Sequence, residues 1–543
     1  MWTHNYTPLA GSLGWSALAA ALPIFVLLYL LGLKRRPAWI SALAGLAAAA
    51  LVALALYRMP AGALLNAAAY GAAFGLFPIG WVVFCAILLY RITVETGQFE
   101  IVKDSVGSLT EDRRLQALLI AFAFGAFIEG AAGFGTPVAV AAAMLAGLGF
   151  SPFYAAGICL LANTAPVAFG SIGTPILTLA TVTGLPMDKL SAATGRICAP
   201  ISLIVPAYLI LVMGGWRVSK GVLPAVAACG VSFAATQFLA SNFIGPQLTD
   251  ILSSLAAIGA LVGLLLVWRP KDRFRFNDAD PAPAVARRHS GRQLLTAWGP
   301  YALLVIFVLL WGWQPVRSRL NAYRVEFAWP GLHHLVERVP PVTPKPSAYP
   351  ALYNFNWLAA SGTACLFAAL LSALLLRLSL RQFGRIFWTT CKQLALPELT
   401  IAAVLALAFL MNYSGATATL GLAFAATGLL FPFFSSLLGW LGVFLTGSDT
   451  SANALFGNLQ VITAGRLGFN PILMAAANSA GGVMGKMISL QSIAVAAAAT
   501  SMPRADEGRL FRFTLRHSIL LASLIGLITV FYAYLMPAWA PSP

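Results

Sequence analysis

The sequence predicts an all-α polytopic membrane protein, and its composition is the first reason. Hydrophobic residues make up 59% of the 543 positions, and charged residues make up only 9%. A soluble globule of this size would need far more polar surface. Apolar runs long enough to cross a hydrocarbon core of about 30 Å recur from one end of the chain to the other, so we expect the chain to lie in a lipid bilayer.

Fourteen apolar segments are candidates for membrane-spanning helices. Several contain glycine or proline, which interrupt helices, so we expect about twelve to fourteen crossings. The segments cover residues 12–33, 38–57, 70–90, 115–128, 152–180, 192–214, 221–239, 250–268, 297–313, 355–376, 393–411, 418–446, 468–500 and 517–537.

The net charge of +17 comes from basic residues in short loops between apolar spans, and it does not indicate nucleic-acid binding. Cytoplasmic loops of membrane proteins carry an excess of lysine and arginine. Lys34, Arg35 and Arg36 follow the first span, which places that loop in the cytoplasm and the N-terminus outside. Arginines between 504 and 516 mark the last such loop. We therefore expect an external C-terminus and an even number of crossings.

A proline-rich stretch at residues 314–354 divides the chain into two transmembrane halves, 1–313 and 355–543. We interpret this stretch as an external connector. The first half contains a polar segment, 269–296, with seven basic residues between Arg269 and Arg292. We interpret it as a cytoplasmic linker that is partly disordered.

Cysteine and histidine are scattered, and they show no spacing typical of a metal or redox site. The six cysteines lie mostly within apolar spans, and the five histidines lie in termini, loops or at the edge of a span. We therefore predict neither a metal nor a cofactor. The expected partners are the lipid bilayer and a small-molecule substrate, and a homo-oligomer is left open.

One glycine-rich motif occurs twice. Gly-Ala-Phe-Ile-Glu-Gly at 125–130 resembles Gly-Val-Phe-Leu-Thr-Gly at 442–447, and Asn-Thr-Ala at 163–165 resembles Asn-Ser-Ala at 478–480. Both separations fall between 315 and 317 residues. Flexible backbone and amides placed twice at membrane depth are typical of transporters built from repeats. The motif therefore predicts two inverted repeats with broken or re-entrant segments.

Glu129 is the acidic residue of the first copy. A charge inside the bilayer costs about 2.5 to 3.5 kcal/mol, so its presence needs a reason. Gly130, Gly133, Gly135 and Pro137 follow it, and they predict a broken or re-entrant segment whose free amides attract a carboxylate. A carboxyl group in such a cavity favours its neutral form, which makes Glu129 a candidate proton carrier. The alternative is that the glycines only pack helices together and that Glu129 is a satisfied structural group.

The second copy carries a polar run with Asp449 as a second candidate proton carrier. Its hydroxyl and amide groups, which exceed the needs of one helix cap, are substrate-binding candidates, and they belong to Ser448, Thr450, Ser451 and Asn453. The alternative is an extramembrane turn with Ser448 or Asp449 as an N-cap.

Each copy is followed by a second predicted break, at 163–175 and at 478–492. These breaks contribute further substrate-binding candidates, namely Asn163, Thr164, Asn478, Ser479 and Lys486. Lys486 is the only lysine of the motif regions, and we interpret it as a counter-charge for a substrate carboxylate, for Glu129 or for Asp449. The alternative is a lysine that snorkels to the membrane interface.

Two further charged residues lie near apolar spans. Arg196 is a candidate for substrate binding, although a topology role at the start of a span explains it equally well. Glu398 follows Pro397, and we interpret it as an acid in the first turn of a helix and leave it outside the site.

Four strings, at 127–135, 163–170, 439–451 and 485–489, closely resemble the bacterial L-lactate permease family, and the resemblance extends over essentially the whole chain. It implies an inner-membrane symporter that takes up L-lactate, and often D-lactate and glycolate, together with protons. It also implies inverted repeats and re-entrant hairpins of the broader ion transporter superfamily. Leu490 stands where the family pattern has proline, and Thr136 replaces a smaller residue. Both departures bear on substrate preference.

Other classes stay open to different degrees. A sodium-coupled or dicarboxylate carrier of the same superfamily is the main alternative, since oxygens around Ser448 and Asn163 could coordinate Na⁺. An enzyme would need a nucleophile with a base or a metal cluster, and the sequence places no histidine within a span. Two broken segments and a buried acid fit a stoichiometric carrier better than a channel.

Overall fold

The computed structural model describes residues 1–34, 36–133, 135–272, 274 and 289–542. Phe134 and most of the predicted linker 269–296 lie outside the described residues. Within the described part, twelve helices are long and apolar enough to cross a membrane, or up to thirteen if one bent pair is counted as a single span. The prediction of an all-α polytopic protein with twelve to fourteen crossings is confirmed.

The helices before the connector begin and end as follows: α1 Leu13–Leu28, α2 Ala38–Ala55, α3 Ala61–Phe74, α4 Trp81–Glu95, α5 Gln98–Gly107, α6 Arg113–Gln116, α7 Gly125–Ala131, α8 Thr136–Gly147, α9 Pro152–Ala162, α10 Gly170–Thr183, α11 Met187–Lys220, α12 Leu223–Phe243, α13 Thr249–Val267 and α14 Gly291–Gly312. π-helical turns extend or join them at Tyr29–Leu33, Gly75–Gly80 and Ala117–Phe124. A 3₁₀ turn lies at Val167–Phe169.

The remaining helices are α15 Gln314–Asn321, α16 Ser361–Leu375, α17 Leu380–Ser414, α18 Ala416–Phe424, α19 Phe431–Thr446, α20 Asp449–Leu467, α21 Pro471–Lys486, α22 Leu490–Ala499 and α23 Arg504–Tyr534. Two 3₁₀ turns lie at Ala425–Leu430 and Pro537–Trp539. The strands are β1 Trp2–Thr3, β2 Val325–Ala328, β3 Val336–Arg338, β4 Ser347–Ala348 and β5 Leu352–Phe355.

The connector contains four of these strands, which the sequence analysis did not predict. β1 at the N-terminus pairs in parallel with β3, β3 pairs with β4, and β2 pairs with β5. The N-terminus and the connector therefore share one end of the helix bundle, which we call the connector end. The sequence places both outside the cell, and this assignment stays a prediction.

Residues 113–147 form a hairpin, the first hairpin, rather than a single crossing. Its first arm runs through α6, the π-helical turn and α7, and its second arm is α8. Arg113, at the start, donates a hydrogen bond to the carbonyl of Leu148 and lies 5.1 Å from the ring of Phe150. The chain therefore enters and leaves at the same end of the bundle. Gly133 and Gly135 form the tip, with φ of +61° and +81°, a conformation that favours glycine.

Helices α19 and α20 form the second hairpin, with its tip at Gly447, whose φ is +72°. Tyr534, at the end of α23, holds the two ends of this hairpin together. Its hydroxyl donates to the carbonyl of Leu429 over 2.6 Å, and its ring lies 5.6 Å from the ring of Phe469. The second hairpin therefore also enters and leaves at a single end of the bundle.

The two hairpins open toward opposite ends of α11. Arg114 in the first hairpin donates to the carbonyl of Val218 over 3.0 Å. Beside the second hairpin, Asn470 donates to the carbonyl of Pro541, and Lys189 donates to the carbonyl of the adjacent Ser542. Positions 189 and 218 lie about 44 Å apart along a helix at 1.5 Å per residue. The second hairpin opens at the connector end, and the first opens at the opposite end.

Helices of both halves pack together in the interior. The backbone of α3 approaches α17 so closely that a Cβ atom built on Gly71 would lie 2.8 Å from the Cα of Ala406. One of two buried apolar clusters combines residues from α1–α4 with residues from α17 and α20. The division into two transmembrane halves, 1–313 and 355–543, stays a prediction. The two halves pack against each other and are not separate in the structure.

The interpretation of Glu398 as a helix-capping acid is wrong. α17 runs without a break from Leu380 to Ser414, so Pro397 and Glu398 lie in its middle. The Glu398 carboxylate lies directly against Gly80, beside the π-helical turn that joins α3 to α4. A proline with an acid after it resembles a helix start in sequence, but tertiary packing keeps this helix continuous.

His4 predicts a pH-dependent attachment of the N-terminus. The side chain is 5% exposed, and its Nε2 lies 2.8 Å from the carbonyl oxygen of Tyr413. Burial, together with the charge of Arg338, lowers the pKa of His4 from 6.5 to about 4, although the hydrogen bond to Tyr413 opposes this shift. The folded state favours the neutral form of the His4 imidazole. The stabilisation is therefore complete above pH 6.5, and it is lost as the pH falls toward 4.

We expect the purified protein to lose about 2 kcal/mol of unfolding free energy between pH 7 and pH 5 through His4. His4→Gln keeps a donor but cannot gain a charge, so it should flatten this part of the profile. The measurement is the thermal unfolding midpoint in detergent at both pH values. His334→Asn, which removes an exposed imidazole, is the control and should keep the wild-type slope. An unchanged slope in His4→Gln would contradict the assignment.

Candidate functional site

Four buried ionisable side chains gather where the two hairpin tips meet. Glu129, Asp250, Asp449 and Lys486 are 4%, 1%, 3% and 8% exposed, respectively. Glu129 interacts electrostatically with each of the other three, and Asp449 interacts with Lys486. The sequence analysis found three of these groups and missed Asp250.

The cluster lies near the middle of the bundle. Helix α9, with 11 residues, leads to it from the end where the first hairpin opens, and α10, with 14 residues, leads away toward the connector end. At 1.5 Å per residue, α9 and the part of α10 that follows Gly173 span about 16 Å and about 15 Å. α9 and α10 meet at an angle of 64°, and the non-helical backbone between them lies beside the charged groups.

Glu129 lies in α7, shortly before the tip of the first hairpin. Its Oε1 lies against Gly170, where an added Cβ atom would be 2.5 Å away, and an added Cβ on Gly133 would be 3.6 Å away. Its carboxyl group also interacts with the side chain of Asn163. Oε2 is buried and has no hydrogen-bond partner among the described residues. The glycines therefore make room for a carboxyl group, and the reading of Glu129 as a fully satisfied group is wrong.

The backbone at the start of α10, where the chain arrives from α9, leaves the helical conformation as predicted. Ser171, Ile172 and Gly173 have φ of +46°, +58° and +73°. Left-handed backbone at a non-glycine residue is costly, and such residues concentrate at functional sites. The Ser171 hydroxyl is buried without a partner in the described part of the chain, whereas Thr164 donates to the carbonyl of Leu161 over 2.7 Å. This break therefore supplies free polar groups next to Glu129.

Asp250 lies in the first turn of α13. A Cβ atom on Gly130 would be 2.8 Å from the Cβ of Asp250, which shows how closely α7 and α13 pack. In sequence Asp250 looks like an ordinary acid at a helix start, and only this packing makes it a neighbour of Glu129. A usable signal was the polar side chains of Thr249, Ser253 and Ser254 on the same apolar helix, all of which are buried.

Asp449 lies in the first turn of α20, directly after the tip of the second hairpin. Its Oδ2 accepts hydrogen bonds from Ser479 over 2.6 Å and from Asn453 over 3.3 Å. Ser448 is the N-cap, because its hydroxyl accepts the backbone N–H of Ser451 over 3.2 Å. Thr450 beside it is half-buried. The capping alternative is correct for Ser448, but the turn lies inside the bundle.

Asn453 links the second hairpin to α10. Its Nδ2 donates to the carbonyl of Pro175 over 3.2 Å and its Oδ1 accepts from Asn478 over 2.9 Å. Gln460 donates in turn to Oδ1 of Asn478 over 3.0 Å. Asn478 lies within α21, and the break predicted over 478–492 is confirmed in the later part of that range, since the helix is interrupted at 487–489. An asparagine whose hydrogen bonds are satisfied by neighbouring helices does not have to end its own helix.

Lys486 is the last residue of α21, and it contacts the tip of the second hairpin. Its ammonium donates to the carbonyl of Gly447 over 2.7 Å. The side chain is buried, so the snorkelling alternative is wrong. A lysine has three N–H donors, and this is the single hydrogen bond that the described residues record for it, which leaves donors for an anion.

Arg196 is not brought into the cluster, and this prediction is wrong. Its guanidinium donates to Oδ1 of Asn242 over 2.8 Å and to the carbonyl of Trp539, and it lies 5.3 Å from the Trp539 ring. Cys198, two residues along α11, interacts instead with Asp449 and Asp250. Positions two apart on a helix differ by about 200°, so the two side chains face opposite ways.

Two open cavities approach the cluster from opposite ends. One, of about 720 Å³, is lined by Arg36 and Glu507 and reaches Gly447. The other, of about 610 Å³, opens at the connector end beside Arg317 and reaches the α12–α13 loop at Pro246. Across the described ranges, no group of three or more His, Cys, Asp or Glu side chains is arranged to hold a metal ion.

The chain is similar to known permeases over almost its whole length. A profile of the family described as L-lactate permease matches residues 16–536. The chain is 47% identical to the L-lactate permease of Bacillus subtilis, covering 97% of this chain and 98% of that protein. It is 44% identical to the glycolate permease GlcA of Escherichia coli, covering 98% of both. The YdaH transporter structure of Alcanivorax borkumensis is a remote match, at 14% identity and a TM-score of 0.45, covering 85% of this chain and 86% of that one.

The bridge through Asn453 predicts a specific loss of stability. Asn453→Ala leaves the Pro175 carbonyl and the Asn478 amide unpaired in a buried site, which costs about 1 to 3 kcal/mol for each group that stays unsatisfied. Asn458→Ala, five residues along α20, removes a single hydrogen bond, from the half-buried Asn458 side chain to Oδ1 of Asn412, and is the matched control. The measurement is the thermal unfolding midpoint in detergent. Equal shifts in both variants would argue against the bridge.

Proposed function

The chain belongs to the L-lactate permease family, and on this basis we propose that it imports L-lactate and related small 2-hydroxymonocarboxylates, including D-lactate and glycolate, by proton symport. It is a multi-pass membrane protein, and the inner membrane of a bacterium is the expected location. The observation that carries the proposal is the buried cluster of three carboxyl groups and one ammonium group between two hairpin tips.

The substrate side of the proposal is supported by Lys486. Its ammonium keeps free donors in a buried position, and a charged donor is worth most to a carboxylate when water is excluded. We propose that the carboxylate of the substrate binds at Lys486, with hydroxyl and amide contacts from Asn163, Ser171 and Ser479.

The proposal of proton coupling is supported by the net charge of the cluster. Three carboxylates and one ammonium would leave two uncompensated negative charges in a buried site, and a substrate anion would add a third. Uncompensated charge in an apolar interior costs several kcal/mol for each ion. Protonation of carboxyl groups in the cluster removes this penalty as the anion enters, which is the physical reason for coupling proton and anion transport.

The two hairpins support a proposal of inverted repeats. Each has a long arm, a left-handed glycine tip and a returning arm, and each is followed by a helix that is interrupted near the cluster. They open at opposite ends, and a cavity approaches the cluster from each end. Movements that close one cavity and open the other would give alternating access around the same site.

Sodium coupling is the second candidate, because unpartnered carboxylate and hydroxyl oxygens around Glu129 and Ser171 are also suitable for Na⁺. Uptake of labelled L-lactate into proteoliposomes separates the two candidates. We expect accumulation with an inward pH gradient in sodium-free buffer, and its collapse when a protonophore is added. Accumulation that follows a sodium gradient and ignores the pH gradient would reject proton symport. Liposomes without protein are the control for passive entry of lactic acid.

Lys486→Gln tests the substrate-anchoring role. Loss of a hydrogen bond to a charged group costs about 1.5 to 3 kcal/mol, so we expect the KM for L-lactate to rise about tenfold or more. Lys220→Gln, at the exposed end of α11, removes a lysine of equal size outside the cluster and should leave the KM unchanged. A wild-type KM in a properly folded Lys486→Gln protein would remove Lys486 from the site.

A further inference from the structure

Asp250 differs from the other acids of the cluster in the state of its carboxylate oxygens. Both of its oxygens are buried and without a partner there. An acid that caps a helix accepts a backbone N–H at its own helix start, and Asp250 accepts none. A buried carboxyl group without donors is costly as an anion, so its presence calls for a role beyond capping.

Asp250 forms a pair with Glu129. The two residues come from α13 and α7, which touch at Gly130, and their charges interact. Two carboxylates that interact in an apolar interior cannot both stay ionised without a large penalty, and such pairs share a proton. Oε2 of Glu129, like both oxygens of Asp250, lacks a partner in the described structure, so acceptor sites for that proton are present on both sides.

The surroundings of Asp250 contain few other titratable groups. Cys198 on α11 faces it, and Glu129 faces it from α7. Helices α10 and α12, which also pack against α13, carry no Asp, Glu, Lys, Arg or His, and Cys229 is the one thiol on α12. Lys486 acts on Glu129 and on Asp449. The single ammonium group cannot neutralise three carboxylates, and a proton is the available neutraliser for Asp250.

The cavity at the connector end reaches the loop before α13, close to Asp250 in the chain. The cavity of about 610 Å³ at that end is lined by the loop 245–248, which ends two residues before Asp250. Gly173 in the α10 break packs on the same loop, since its Cβ would lie 2.8 Å from the carbonyl carbon of Pro246. The cavity at the opposite end reaches Gly447 and thus the side of Lys486. The Asp250–Glu129 pair and the Asp449–Lys486 pair are therefore approached from different ends.

We propose that Asp250 is the entry group of a proton-coupling pair with Glu129, while Asp449 and Lys486 serve the substrate. A proton from water at the connector end adds to a carboxylate oxygen of Asp250, passes to Oε2 of Glu129, and leaves Asp250 as an anion ready for the next proton. Release from Glu129 to the opposite side completes the transfer. This inference rests on the proposed proton symport.

The test compares Asp250→Asn with Glu398→Gln in proteoliposomes. Glu398 is a half-buried carboxyl group in the middle of α17, outside the cluster, so it controls for loss of any acid within a span. Two assays are run: accumulation of labelled L-lactate under a pH gradient, and exchange of labelled for unlabelled L-lactate without a gradient. Exchange requires binding and movement of the site but no net proton transfer, so it separates coupling from folding.

We expect Asp250→Asn to lose about tenfold or more of gradient-driven accumulation while exchange stays within about twofold of wild type. Glu398→Gln should keep both activities. Asp250→Glu keeps the carboxyl group and should retain accumulation. If Asp250→Asn accumulates lactate like wild type, or loses exchange together with accumulation, Asp250 is not the entry group. If wild type itself shows no pH-driven accumulation, the proposed symport fails, and this outcome is distinct from a failure at Asp250.

Discussion

A charge buried in an apolar helix bundle costs several kcal/mol unless it is paired or neutralised, and this chain buries three carboxyl groups and an ammonium group within electrostatic reach of one another. The surrounding structure follows from that cost. Glycines at 133 and 170 make room for the Glu129 carboxylate, and Ser479 and Asn453 donate to Asp449. After these contacts, some hydrogen-bond donors and acceptors of the cluster stay unpaired. A small anion and a proton can bind to these groups.

The hairpins explain how such a cluster is assembled in a membrane protein. A continuous helix satisfies its own backbone, so it offers no N–H groups at membrane depth. Each hairpin ends in a left-handed glycine inside the bundle, and each is followed by an interrupted helix, so four non-helical points meet in one region. The hairpins are tied down at opposite ends, by Arg114 at one and Tyr534 at the other. Their tips therefore meet from opposite directions near the middle.

The two copies of the motif differ in the side chains that they place in the cluster. In the first copy, Glu129 precedes the tip and lies against glycine residues, and Asp250 is a second acid beside it. In the second, Asp449 follows the tip, carries two hydrogen bonds from side chains, and faces Lys486. The 315- to 317-residue spacing aligned Gly130 with Gly447, whereas the left-handed glycines at the two tips are Gly133 and Gly135 in one hairpin and Gly447 in the other. The repeat itself stays a prediction.

The sequence by itself determined the membrane class, the approximate number of spans, the duplicated motif and three of the four charged groups. These properties depend on composition, on apolar length and on the rarity of charge within apolar runs, all of which are local. Tertiary structure decided that Asp250 joins the cluster, that Arg196 turns away from it, that Glu398 lies in mid-helix and that α21 breaks after Lys486. Each of these outcomes depends on which helix face packs against which neighbour, and that is set by contacts between residues far apart in the chain.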